Sequence, residues 1–118
     1  MESSEALSVL AALGQPTRLD ICRLLLSRAP EAVAAGDIAT QLGVAPNTLS
    51  AHLAVVTQAG LATSTRQGRS ILYRAEPQRL QALIGYLLLD CCSGRPDLCG
   101  PLVRDIEPLI APSPDSRP

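Results

Sequence analysis

The sequence predicts a small domain of packed helices with one β-hairpin, and three observations predict it. The 118 residues are 47 % hydrophobic but include no Phe or Trp and only two Tyr. The core must therefore be Leu, Val, Ile and Ala, a set that suits packed helices. Apolar residues recur at helical spacing through most of the chain. Only Leu61 to Ala75 breaks that rhythm, as two short strand-like runs around Gln67-Gly68-Arg69.

Ser4 to Leu13 reads as a first helix, with Ala6, Val9, Leu10 and Leu13 on one stripe. Gly14-Gln15-Pro16 breaks it, and Pro16 suits the first position of a second helix, where its missing N–H costs nothing. That helix runs to about Ser27, with Leu19, Ile21, Cys22, Leu24, Leu25 and Leu26 expected to be mostly buried. Cys22 is expected to be a small core residue rather than a ligand. Ala29 to Gly36 is expected to be a loop. Asp37 then opens a third helix near its N-terminus, where a carboxylate favours the dipole. Ile38, Ala39 and Leu42 give that helix its apolar side, and Gly43 stops it.

Pro46 starts a fourth helix, running to about Ala59 and ended by Gly60. A helix, a short Gly-containing turn and a second helix form a helix-turn-helix. The runs Leu61 to Arg66 and Ser70 to Ala75 then make a hairpin wing tipped with arginine. Glu76-Pro77 begins a fifth helix with Leu80, Leu83, Ile84, Leu87 and Leu88 on one wide stripe. The expected architecture is a mostly α winged helix-turn-helix, dimeric through its first and fifth helices. Leu10, Leu13, Leu80, Leu83, Ile84 and Leu87 are the expected interface, and so small a chain gains most from sharing an apolar face. Gly94 and Pro96 end the fifth helix, and Pro101 to Leu109 reads as a short sixth. Residues 1–110 are expected to form the domain, with the Pro/Ser-rich 111–118 a disordered tail.

Net charge is −1 and the pI about 5.7, a weak argument against nucleic acid. The distribution argues the other way. Between Asp37 and Glu76 there is no acidic residue, while His52, Arg66, Arg69 and Arg74 fall inside that window. An acid-free, Arg-bearing segment presents a positive face to phosphates. The second helix of a helix-turn-helix puts its N-terminal residues against base edges, here Pro46, Asn47, Thr48, Ser50, Ala51 and His52. Arg66 and Arg69 on the wing are expected to hold phosphates or the minor groove. An enzyme is not expected, because there is no Ser/His/Asp grouping, no phosphate-binding Gly loop and a single His. No signal peptide is legible, and no apolar stretch nears the roughly 18 residues of a membrane span. The expected compartment is the cytoplasm, with no membrane partner. There, clustered cysteines mean metal or redox chemistry more often than structural disulfides.

Three of the four cysteines, Cys91, Cys92 and Cys99, crowd into the stretch from Asp90 to Gly100. They offer three soft donors to a thiophilic ion. The residues also allow a thiol redox pair, or a reduced trio that binds nothing.

Four separated motifs carry a resemblance: Leu13-Gly14-Gln15-Pro16-Thr17-Arg18-Leu19-Asp20-Ile21, Ala45-Pro46-Asn47-Thr48-Leu49-Ser50-Ala51-His52-Leu53, Ala59-Gly60-Leu61 and Arg66-Gln67-Gly68-Arg69-Ser70-Ile71-Leu72-Tyr73-Arg74. In this order they resemble the ArsR/SmtB family of winged-helix repressors, over about Leu7 to Leu88. The resemblance implies a homodimer on a palindromic operator, released by a metal or metalloid. Many arsenic sensors of that family carry a Cys-x-Cys pair around the third helix, which Gly36 to Leu42 lacks. Its zinc sensors use Asp and His on the fifth helix, yet Pro77 to Leu89 contains no His. Some of its arsenite repressors are similar in placing a Cys-Cys pair and a later Cys at the end of the fifth helix. That points to Cys91, Cys92 and Cys99 as ligands of As(III), with Sb(III) as a related inducer. Trivalent arsenic is satisfied by three thiolates, whereas zinc takes four ligands. No further cofactor is expected. Two alternatives stay open: a thiol-redox-responsive repressor on the same scaffold, and a soft-metal-binding protein without operator affinity.

Overall fold

The computed structural model describes residues 1–90. Its elements are α1 Ser3–Leu13, α2 Pro16–Arg28, β1 Val33–Ala34, α3 Ala35–Leu42, α4 Pro46–Gln58, β2 Ala62–Gln67, β3 Ser70–Ala75 and α5 Pro77–Gly85. α5 passes directly into a π-helical turn, Tyr86–Asp90. Met1–Leu80 forms one compact unit, and the described residues from Gln81 onward belong to a second.

Local chemistry sets the helix ends. The Arg18 N–H donates to Gln15 Oε1 at 2.9 Å, capping α2 just ahead of Pro16 at its first position. The Arg18 guanidinium reaches back to α1, with Nε donating to the Ala12 carbonyl at 2.8 Å and Nη2 to that of Ala11 at 3.3 Å. Carbonyls that the end of α1 leaves orphaned are thus satisfied by the next helix. α3 stops at Gly43, whose φ of 64° is the left-handed conformation that glycine adopts without a Cβ clash.

The largest fully buried side chains are Val9, Ile21, Leu25, Ile38, Leu49, Leu53 and Val56, drawn from α1 through α4. α4 packs on α1, α2 and α3 and so lies at the centre of this core. Among the described residues no polar or charged residue is buried. The sheet has the order β1-β3-β2, antiparallel, with Ala62 opposite Ala75 and Gln67 opposite Ser70 across the Gly68-Arg69 turn.

Three expectations need correction. Ala29 to Gly36 is not all loop, because Val33 and Ala34 pair with Tyr73 and Leu72 as a third strand. That pairing places Val33 in the core, and two residues are too few to show alternation in a sequence. α3 begins at Ala35, so Asp37 lies in its first turn as expected; its N-cap, Ala34, makes no side-chain bond. Leu19 is exposed, since only Ile21, Cys22 and Leu25 of the six apolar positions in α2 face the core. The fifth helix leaves α geometry at Tyr86. The expected sixth helix, Pro101 to Leu109, and the tail 111–118 lie outside the described residues.

One side chain joins three helix ends. Arg79, in α5, donates from Nε to the Ala59 carbonyl at the end of α4 at 2.9 Å. Its Nη1 donates to Glu5 Oε2 in α1, also at 2.9 Å. Glu5 is itself oriented by the Glu2 N–H, which donates to its Oε1 at 3.4 Å. Gly60 makes room for the guanidinium, because a Cβ there would stand 2.9 Å from Arg79 Nε, and its φ of 82° already excludes most side chains.

Gly60→Ala should accordingly lower stability by about 1–3 kcal/mol, since it strains the backbone and displaces a doubly bonded arginine. Gly36→Ala, which meets nothing within 4 Å, should be close to neutral; equal melting temperatures for the two variants would remove Gly60 from this role. Burial also pushes the Cys22 thiol up to about 11. The folded state then holds its proton while the unfolded thiol ionises, so stability should fall with rising pH between about 9 and 11. Urea titrations of the protein and of Cys22→Ala across that range should differ in slope against pH; parallel curves would mean the thiol ionises freely in the fold.

Candidate nucleic-acid interface

α4 buries Leu49, Leu53 and Val56 against the other helices, which fixes its opposite side outward. Pro46, Asn47, Thr48, Ser50 and Ala51 are all exposed, and His52 is half-buried on the flank. The same outward stripe continues through Ala54 and Gln58, also exposed. Neither was among the expected base-facing residues, which were confined to the start of the helix. The signal was present, since Asn47, Ala51, Ala54 and Gln58 follow the i, i+4, i+7 and i+11 spacing of one helical face.

The helix-turn-helix itself is nearly uncharged. From Ala35 to Gln58 there is no Arg or Lys, and Asp37 is the one acid. Positive charge enters on the hairpin. Arg66, near the end of β2, and Arg69, in the turn, are exposed and take part in no ion pair among the described residues. Arg74 differs, its Nη2 standing 3.8 Å from Glu76 Oε1. Glu76 also accepts from the Thr63 hydroxyl at 3.1 Å, which holds its carboxylate at the base of the wing. The structure therefore brings the expected base-facing residues onto one surface and leaves two wing arginines free for phosphate.

The apolar residues expected at a dimer interface are unevenly available. Leu10 and Leu87 are exposed, Leu13, Leu80 and Ile84 are half-buried, and Leu83 is only 5 % exposed in the single chain. Leu7, at 66 % the most exposed large apolar side chain described, lies one turn before Leu10 on α1 and was not among those expected. Cys91, Cys92 and Cys99 lie outside the described residues. Cys22 is buried as expected, and its raised pKa leaves little thiolate at neutral pH. Among the described residues no three His, Cys, Asp or Glu side chains gather as a metal site. No helix among them is long and apolar enough to cross a membrane.

A helix-turn-helix domain family matches residues 13–65. An ArsR-like transcriptional regulator from Rhodococcus sp. RHA1 is similar in structure at a TM-score of 0.66 and 30 % identity, over 93 % of this chain and 95 % of that one. A possible transcriptional regulator for arsenical resistance gives a TM-score of 0.60 at 31 % identity, over 83 % of this chain and 95 % of its own. The homodimeric winged helix-turn-helix domain of Mb0332 from Mycobacterium bovis, a possible ArsR-family regulator, gives 0.59 at 27 % identity over 74 % and 79 %. No curated protein matches the sequence. An outward-facing second helix beside an arginine-tipped wing, with 30 % identity over 95 % of the ArsR-like regulator, shows that the chain belongs to the ArsR family of winged helix-turn-helix transcriptional regulators.

Proposed function

We propose that this protein is an arsenite-responsive repressor. It binds operator DNA as a homodimer in the cytoplasm and is released when Cys91, Cys92 and Cys99 bind As(III), with Sb(III) as a second inducer. The thiol inventory carries the inducer half of this reading. Of four cysteines, Cys22 is buried with its pKa raised to about 11, which leaves the three that follow the last described helical turn. Three thiolates with no His beside them match trivalent arsenic better than zinc. The similarity to a possible regulator for arsenical resistance supports the same ligand class.

The DNA half rests on α4 and the wing. A homodimer places two recognition helices on two half-sites about one DNA turn apart. The homodimeric relative and the exposed Leu7 and Leu10 on α1 support that assembly. Metalloid binding releases DNA only to the extent that the ligand prefers the DNA-incompetent arrangement; couplings of about 1–3 kcal/mol, roughly 5- to 150-fold in affinity, are usual.

Fluorescence anisotropy on labelled DNA from upstream of the protein's own gene tests both halves. Under reducing conditions the full chain should bind tightly, and stoichiometric arsenite should dissociate it. Cys91→Ser, Cys92→Ser and Cys99→Ser should each keep DNA binding and lose the response. If binding ignored arsenite but vanished on oxidation, disulfide chemistry would replace metalloid sensing; variants unable to bind DNA at all would make the thiols structural. Arg69→Ala should weaken binding to all sequences alike and flatten the salt dependence by about one unit, the amount one neutralised phosphate contributes. An unchanged slope would take Arg69 off the backbone.

A further inference from the structure

We infer that the recognition helix selects half-sites bearing adenine and thymine in the major groove, with Asn47 pairing an adenine and the Ala51 methyl packing on a thymine methyl. The inference rests on the operator-binding reading above and adds which bases are read, and by what. Each base edge has a preferred side chain. Guanine is best met by a bidentate Arg or Lys, cytosine by Asp or Glu, adenine by Asn or Gln, and the thymine methyl by an apolar contact. Both helices of the helix-turn-helix lack Arg and Lys, and Asp37 lies in the first turn of α3, away from α4 in sequence. The preferred partners of guanine and cytosine are therefore missing from the reading helix.

What faces outward is two amides and two methyls: Asn47, Ala51, Ala54 and Gln58, all exposed on one stripe. That set is the chemical complement of an A·T-bearing edge, with an amide for the adenine donor–acceptor pair and a methyl for C5 of thymine. Thr48 and Ser50, on either side of the stripe, bond several bases and do not decide between them. Asn47 and Ala51 stand one turn apart, a rise of about 6 Å. Base pairs stack at about 3.4 Å, so the two side chains address bases within about two pairs of each other. Discrimination and affinity thus fall on different elements. The helix carries no Arg or Lys to reward a wrong sequence, and the wing arginines bind any phosphate.

The test is selection of the reduced full-length protein on a randomised duplex pool, followed by single-atom changes in the selected duplex. A·T pairs should be enriched at the positions that α4 reads. Replacing the paired adenine by 7-deazaadenine, which removes N7, should weaken binding about tenfold. Replacing the contacted thymine by uracil, which removes one methyl, should cost about fourfold. Asn47→Ala should bind the adenine and 7-deazaadenine duplexes equally, while its melting temperature and salt slope match those of the unaltered protein. G·C pairs at these positions, or indifference of the unaltered protein to 7-deazaadenine, would overturn the inference and leave operator binding standing. Retention of no duplex even at low salt would instead overturn operator binding, and the base assignment with it.

Discussion

Arg79 ties together three helix ends that apolar packing alone would leave free to slide. Leu, Val, Ile and Ala contacts are non-directional, so a core made almost entirely of them fixes distances between helices better than it fixes their axial positions. The guanidinium supplies the missing direction, since its donors point along fixed lines to the Ala59 carbonyl and to Glu5. Glu5 answers in kind, and the hydrogen bond from Arg79 holds its carboxyl below the ordinary value for a glutamate. Because the folded pKa is the lower one, this contribution is present above the unfolded pKa and is lost as pH falls through the folded one. Gly60 completes the arrangement, because any side chain on its backbone would occupy the place of the guanidinium.

A second constraint is the separation of charge from shape. The helices that read DNA are nearly neutral, and the free arginines described near them stand on the wing. A strongly basic recognition helix binds any duplex through phosphate, which raises affinity for wrong and right sequences together. With the charge on Arg66 and Arg69, hydrogen bonds and methyl contacts of α4 can differ between sequences without a large common background. A net charge of −1 is compatible with this division, because the field that matters is local.

Much of this was legible in the sequence where a residue acts on its own backbone. Pro16 and Pro46 mark helix starts, Gly43 marks a stop, and Gly68-Arg69 marks the wing turn. Asn47, Thr48, Ser50 and Ala51 were recognisable as an outward helix start for the same local reason. Illegible were the features set by distant partners. β1 exists because β3 lies beside it, and nothing within Val33–Ala34 announces a strand. Leu19 looks like a core leucine until the orientation of α2 is known. The pairing of Arg79 with Glu5 spans 74 residues and has no sequence signature. The stripe on α5 was visible, but its continuation was not, because the π-helical turn at Tyr86–Asp90 breaks the 3.6-residue period that placed Leu87 and Leu88 in line with Leu83 and Ile84.

Coupling between a thiol site and an operator requires an element whose arrangement both ligands bias, and a ligand that binds both arrangements alike shifts nothing. α5 is the element the proposed function makes common to both. It carries Arg79 near its start, bonded to the last turn of the recognition helix, and the chain that leaves it leads to the three cysteines. A hydrogen bond from a charged donor is worth about 1.5–3 kcal/mol. The couplings usual between allosteric sites are about 1–3 kcal/mol. The two ranges overlap, so the contact from Arg79 to Ala59 is of the right size to take part in the response proposed above. Loosening that one bond would free the end of α4 from Arg79, while its packing on α1, α2 and α3 keeps the DNA-binding unit folded.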